Sequence, residues 1–421
     1  GSRILGLGDL GANGMGIPIG KLALYVAAGG IAPHRVLPVM FDVGTDNEDL
    51  LEDPFYLGLR QKRLRGEEYY QLMDEFMHAV YGRWPKALVQ FEDFSSDVAL
   101  DLLSRYRNEF LCFNDDIQGT GATTLAGIMT ALRQKGLPTS ALVDQRFVVV
   151  GAGSAGVGVS EAIAKGMVIA SKGKIDIDEA RSRFYICDKN GLITRNGASL
   201  EQISQLTVSQ CCYLNPEDQT LERGASIVDV VEKVKPTVLL GLSGVGGLFT
   251  DDILEAMARA DERPIIFPLS NPTANAECTA QRAYEITEGR CIFASGSPFE
   301  PVTLNGKTYK PSQCNNMFVF PGVGLGATLA QSRYVTDRML HVSAEACDNA
   351  VTNEELASGQ VFPDVERIRD VSEHVGASVL KASVDEGLSA NYKSITDDES
   401  FEIVMDKMYY PTYVGLISPL D

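Results

Sequence analysis

The stretch "RFVVVGAGSAGVGVSEAIAKGMVIA", Arg146 to Ala170, constrains the fold more than any other part of the chain. A short β-branched run, Arg146 to Val150, leads into glycines at 151, 153 and 156. A proline-free segment of helical period, Val157 to Ala170, follows. Strand, glycine turn and helix in that order set the free N–H groups of a helix N-terminus against a pyrophosphate. A second apolar run, "FYICD", ends in Asp188. The pattern reads as a βαβ unit of a Rossmann-type dinucleotide-binding domain. Its cofactor loop is Gly151, Ala152, Gly153, Ser154, Ala155 and Gly156. Asp188 lies 32 residues beyond Gly156, against a usual spacing of about 20, so a small insertion is expected in the crossover. A carboxylate there accepts hydrogen bonds from a ribose diol and repels a 2′-phosphate, which favours NAD over NADP. Lys189, the next residue, partly offsets that repulsion.

A second string of the same spacing, "GLGDLG" (Gly6 to Gly11), lacks the context. It runs into "ANGMGIPIGK", with three more glycines and Pro18, and proline disfavours a regular helix beginning at the third glycine. It reads as a mobile, close-packed loop that delivers Lys21 at its end.

Two segments pair carboxylates. "ALVQFEDFSS" puts Glu92 and Asp93 at the end of an apolar run, as at a strand's carboxyl end. "FLCFNDDIQGTGATTLAGIMTAL" puts Asp115 and Asp116 between a short strand and a helix rich in Ala, Thr and Gly. Neighbouring carboxylates repel, so burying four of them requires a cation or a lysine. Three carboxylates with waters and substrate oxygens suit a hard ion such as Mg²⁺ or Mn²⁺. Either pair alone would read as a solvated turn. Together with Lys21 and a nucleotide site, they read as a metal centre.

The 421 residues suffice for two or three domains, and 45% hydrophobic with 22% charged residues is a globular-enzyme profile. A net charge of −19 disfavours nucleic acid as a partner. The one basic cluster, "RQKRLR" (Arg60 to Arg65), is followed by Glu67 and Glu68 and reads as a solvated loop. No apolar run approaches a membrane span of about 18 residues, and no signal peptide is visible. Eight cysteines without a C-x-x-C pair, and four scattered histidines, argue against zinc or a disulfide framework and for buried free thiols in a reducing compartment. The opening "GSRILGLG" reads as the middle of a fold, which suggests a processed or truncated chain.

These segments resemble malic enzymes. "RILGLGDLGANGMGIPIGKLALY", "VQFEDF", "FNDDIQGT", "GAGSAG", "PLSNPTANAECT" and "NNMFVFPGVGLG" stand in that family's order and spacing from residue 1 to about residue 390. "GLRQKRLRGEEYYQLMDEFM" and "GRWPKALVQFEDF" are most similar to the plant-type NAD-linked branch. The resemblance implies metal ligands Glu92, Asp93 and Asp116, with Lys21 as general base and Asp115 as its charge partner. It further implies Arg3 as a fork on a malate carboxylate, with Asn271 and Asn316 completing the malate and nicotinamide pocket. Arg3 and the two asparagines carry no signal of their own in the sequence. Ser96, where some relatives have Asn near the cofactor, is left out of the site.

The resemblance implies an α/β fold with a Rossmann-type domain inserted into an α/β substrate- and metal-binding domain. Residues 1–114 would open the substrate domain, 115–315 form the NAD-binding domain, 316–390 return to the first, and 391–421 form a tail. The implied reaction is oxidative decarboxylation of (S)-malate to pyruvate and CO₂ with NAD and Mn²⁺ or Mg²⁺. A malolactic enzyme releasing lactate and a non-catalytic regulatory subunit are the alternatives. A homo- or hetero-oligomer, dimer or tetramer, and the mitochondrial matrix are implied; the cytoplasm is the other compartment considered. Lys21 is expected to have a lowered pKa through burial and the nearby cation. Malic enzymes protonate the enolate with a tyrosine in an N-terminal segment with a "YTPTVG"-like motif, which would precede Gly1. The similar string "YYPTYVGL" (Tyr409 to Leu416) reads as tail packing, with neither Tyr410 nor Tyr413 substituting. The chain is therefore expected to lack the family's N-terminal domain, to bind NAD and Mn²⁺ yet turn over poorly, and to expose apolar surface.

Overall fold

A computed structural model describes residues 1–4, 7–217 and 220–412. Seven strands make the main sheet: β3 (Phe147–Val150), β4 (Phe184–Asp188), β5 (Gly191–Leu192), β6 (Val238–Gly241), β7 (Ile265–Pro268), β8 (Ile292–Ser295) and β11 (Ser312–Gln313). The order across the sheet is β11-β8-β7-β6-β3-β4-β5. All pairs are parallel except β4 with β5. Strands β3, β6 and β7 are buried throughout, because helices cover both faces and a parallel sheet offers no solvated side. Side chains alternate between two cores. Phe147, Val149, Phe184, Ile186, Leu240 and Phe267 face one, and Val148, Val150, Tyr185, Cys187, Leu239 and Ile266 face the other.

From β3 the chain crosses through the helix Ser154–Ala170 to β4 on one side. It returns through the helix Ile227–Val234 to β6 on the other side. The direction of winding thus reverses between β3 and β6, and ligands of open α/β sheets bind at the carboxyl ends there. The insertion expected between helix and β4 is present as the short helix Ile177–Arg181.

A smaller parallel pair, β1 (Val89–Phe91) and β2 (Cys112–Asn114), is flanked by the helices Glu67–Arg83 and Ser96–Tyr106. Tyr69, Met73, Met77, Phe91, Leu102 and Tyr106 form its core. The hairpin of β9 (Val302–Leu304) and β10 (Lys307–Tyr309) stands apart from both sheets. The helix Thr120–Gln134 is buried from Gly121 to Leu132. At the end of the chain, the helices Phe320–Ala330 and Ile368–Asp385 pack closely. A Cβ on Gly326 would stand 2.3 Å from the Gly376 carbonyl oxygen, which is why small residues line that crossing. Among the described residues no helix is long and apolar enough to cross a membrane. The eight cysteines are free, five of them buried.

The first glycine motif departs from its expected form. Gly6 lies outside the described residues. Beyond it, the segment expected to be a loop up to Lys21 is helical: Gly11–Met15 is a short 3-10 turn running straight into the helix Gly16–Ala27, which carries Lys21. Pro18 sits in the first turn of that helix, where its missing N–H would have had no partner. Asp9 pins the turn by accepting from Gly11 N–H at 2.8 Å and from Arg63 at 2.6 and 2.8 Å. Arg63 is therefore a largely buried structural cation within "RQKRLR", which is otherwise the solvated loop expected.

Candidate active site

Four carboxylates and one lysine converge where β1 and β2 end. β1 delivers Glu92 and Asp93. β2 runs into a π-helical turn, Asp115–Gly119, that presents Asp115 and Asp116, a form often found at functional sites. Lys21 Nζ is ion-paired to Asp115 and lies 3.2 Å from Glu92 Oε1. It also lies 4.6 Å from the centroid of the Phe320 ring. Asp115 is fully buried, and Asn316 Nδ2 donates to its Oδ2 at 3.1 Å.

Ligand oxygens of Glu92, Asp93 and Asp116 lie within 4.8 Å of one another. Asp93 adopts φ +58°, a conformation uncommon outside glycine, and its N–H donates to Asp116 Oδ2 at 2.7 Å. Gln90 orients Glu92 through a 2.8 Å bond to Oε2, and Tyr25 holds Gln90 at 2.6 Å. Asp93 Oδ2 is buried without a hydrogen-bond partner among the described residues. A buried acceptor with nothing to accept, beside two more carboxylates, fits a hard divalent cation.

The charges follow from this crowding. Burial, then the Asp116 carboxylate, pushes the Asp93 carboxyl up to about 7. Burial also raises Asp116, and burial with the Asp116 charge raises Glu92. The lowered pKa expected for Lys21 belongs to the cation-bound site; the protein's own groups push the other way. Burial alone would lower its pKa, but Asp115 and Glu92 outweigh burial and hold it above the ordinary lysine value. A carboxyl raised by folding stabilises fully below its unfolded pKa, and loses that contribution as pH rises through the folded value. For Asp93 the window runs from about 3.8 to about 7. Metal-free protein is therefore expected to lose thermal stability from about pH 4 to pH 8, by at most about 4 kcal/mol from this group. Melting curves should show a flatter slope for Asp93→Asn; an unchanged slope would clear Asp93 of the effect.

The nucleotide loop meets the three demands on its glycines. Gly151, at φ +123°, turns so tightly that a Cβ would stand 2.3 Å from the Leu242 carbonyl oxygen. Gly153 faces open space, and a Cβ on Gly156 would meet the Gly151 carbonyl oxygen at 1.9 Å. No side chain caps the helix that starts at Ser154. Open approach at Gly153 and an uncapped N-terminus fit a pyrophosphate. Gly153→Ala is expected to weaken NAD binding roughly tenfold with an unchanged melting temperature, whereas Gly156→Ala lowers the melting temperature itself. Equal melting losses in both would contradict this division.

Arg3 N–H donates to the Asp93 carbonyl at 3.3 Å, and its guanidinium bonds Ser96 Oγ. Ser154 Oγ donates to the same Ser96 oxygen at 3.2 Å. Ser96, set aside on sequence grounds, thus joins the acid cluster to the nucleotide loop. Asp188 ends β4, bonded to Asn190 N–H and to Arg223. Asn271 follows β7 and accepts from Ser297 Oγ at 2.7 Å; among the described residues no hydrogen bond ties it to the acid cluster. Sequence reasoning missed Glu277, fully buried, which accepts from Ser243 N–H at 3.0 Å and Ser270 Oγ at 2.5 Å. It ties together the loops after β6 and β7. Its only signal was an acid three residues after Ala274 in "PTANAECT". Tyr410 packs on Arg369 at 4.1 Å, as tail packing requires; Tyr413 lies outside the described residues. A groove of about 1500 Å³ opens from Lys21 and Glu92 and is lined by Leu22, Ile31, Phe41, Phe76 and Leu329.

Residues 1–107 match the model of the malic enzyme N-terminal domain, which corrects the expectation that this domain is missing, and residues 117–384 match that of the malic enzyme NAD binding domain. The NAD-dependent malic enzyme 2, mitochondrial, of Arabidopsis thaliana is 48% identical over 427 residues, covering 99% of this chain and 69% of that protein. The NADP-dependent malic enzyme of Dictyostelium discoideum is 46% identical over 413 residues, covering 98% and 73%. Among solved structures, malic enzyme from Entamoeba histolytica superposes with a TM-score of 0.74 at 21% identity, over 97% of this chain and 72% of that one. The chain belongs to the malic enzyme family.

Proposed function

We propose that the chain oxidises and decarboxylates (S)-malate to pyruvate and CO₂ while reducing NAD, with Lys21 as the general base. The observation that carries this reading is Lys21 held between Asp115 and Glu92 at the three-carboxylate cluster, which Arg3 and Ser96 link from the Asp93 carbonyl to Ser154 of the nucleotide loop. Glu92, Asp93 and Asp116 would hold the Mn²⁺ or Mg²⁺. When bound, that cation supplies a Lewis acid for the malate hydroxyl and offsets the negative charge that otherwise keeps Lys21 protonated. Asp115 and Asn316 would position Lys21 Nζ to take the malate hydroxyl proton, and bound NAD would supply the acceptor for the C2 hydride. Arg3 exchanges Ser96 for a malate carboxylate, a bidentate match for its guanidinium. Gly151 to Gly156 bind the pyrophosphate, Asp188 the adenine ribose, and Asn271 borders the nicotinamide.

On this reading residues 1–114 and 316–390 make the substrate and metal domain and 115–315 the inserted NAD domain. The malolactic and regulatory-subunit alternatives are not favoured, since the relatives at 48% identity are NAD-dependent malic enzymes by name. The same relatives point to mitochondria. Phe55 and Leu57, 85% and 96% exposed, argue for assembly as a dimer or tetramer, to be checked by sedimentation. Product analysis tests the reaction: NADH and pyruvate in equal amounts are expected, and lactate without free NADH would replace this reading with a malolactic one.

A further inference from the structure

The loop Glu222–Ala225 is laced to the edge of the main sheet. Gly224 N–H donates to the Leu192 carbonyl at 3.0 Å, Leu192 N–H to Ala225 at 2.9 Å and Arg223 N–H to Asn196 at 2.8 Å. A Cβ on Gly191 would lie 2.5 Å from the Gly224 carbonyl oxygen, so loop and turn are in direct contact. This packing brings the Arg223 side chain, only 9% exposed, onto Asp188, where Nη2 donates to Oδ2 at 3.0 Å. Asp188 Oδ1 accepts Asn190 N–H at 2.6 Å. Nη1 of Arg223 is buried and has no hydrogen-bond partner among the described residues.

The acid at the end of β4 is therefore charge-compensated, and the cation that compensates it has a donor to spare. A free carboxylate rejects a 2′-phosphate by repulsion. One paired with a guanidinium keeps its lone pairs for the ribose hydroxyls but loses most of its field. A guanidinium is also the preferred side-chain partner of phosphate. We propose that Arg223 determines cofactor specificity: it cancels the Asp188 charge, so NAD is chosen by hydrogen bonding to the ribose and not by repulsion. When Asp188 is made neutral, Arg223 receives the 2′-phosphate. The proposal rests on the reading of Asp188 as the ribose acceptor.

Calorimetric dissociation constants for ADP-ribose and 2′-phospho-ADP-ribose test it on the full chain. The ratio of the two is the readout, because a merely structural loss at Arg223 would weaken both probes alike. Arg223→Met is expected to weaken the phosphorylated probe relative to the plain one by roughly tenfold. Asp188→Asn is expected to tighten it by roughly ten- to hundredfold, and the double variant to lose that gain. If Arg223→Met melts too low to measure, Arg223→Gln, which keeps donors without the charge, carries the same expectation. An unchanged ratio in the arginine variants, or a gain that survives in the double variant, would overturn the role of Arg223. If Asp188→Asn alters neither constant, the ribose assignment of Asp188 itself is wrong, and the proposal goes with it.

Discussion

Replacing Lys21 with alanine is expected to lower kcat for malate oxidation by about 10²–10⁴-fold, with a modest change in malate KM. The size of the effect follows from Lys21 being, among the described residues, the one cation ion-paired with the Asp115 and Glu92 carboxylates. The substitution also leaves the fully buried Asp115 and the largely buried Glu92 uncompensated, which costs about 3–5 kcal/mol of stability in comparable buried pairs. Melting temperatures must therefore accompany the kinetics. Lys21→Arg keeps the charge but not a readily titrated amine, so it should recover the stability and little of the rate. Near-normal kcat in a folded Lys21→Ala protein between pH 6 and 9 would remove Lys21 from the role of base.

Asp116→Ala is expected to abolish Mn²⁺-dependent turnover and to weaken Mn²⁺ binding by on the order of 100-fold or more. Two losses combine here. One ligand of the three-carboxylate set disappears, and the Asp93 N–H, held at 2.7 Å by Asp116, loses its acceptor. Asp116→Asn separates them, because the amide oxygen can still receive that N–H while the charge is gone. Binding recovered in Asp116→Asn would show that Asp116 acts by shaping Asp93 and not as a ligand. Unchanged Mn²⁺ affinity and rate in both variants would exclude it from the site.

Strand, glycine turn and helix around Gly151 to Gly156 were legible in the sequence because one local pattern dictates all three. Paired carboxylates at strand ends were legible for a similar reason: apolar runs stop where Glu92 and Asp115 begin. The helix carrying Lys21 was misread, since Pro18 signals a break everywhere except in a first turn. Ser96 and Arg223 carry no local signal at all. Their roles arise from contacts with residues 58 and 35 positions away, Ser154 and Asp188, and such contacts exist only once the chain has closed. The raised pKa of Lys21 is of the same kind, because burial and two carboxylates pull in opposite directions and only the distances decide the outcome.

The three-carboxylate metal site and the nicotinamide end of the cofactor are expected to share one active centre. Paramagnetic relaxation measures this without requiring turnover. Mn²⁺ is added to protein with bound NAD, and broadening of the nicotinamide C4 proton is compared with that of the adenine protons by NMR. The expected result is strong broadening at the nicotinamide, weaker broadening at the adenine, and loss of both in Asp116→Ala at the same Mn²⁺ concentration. Tight binding of NAD and Mn²⁺ with no preferential broadening of the nicotinamide would contradict the shared site.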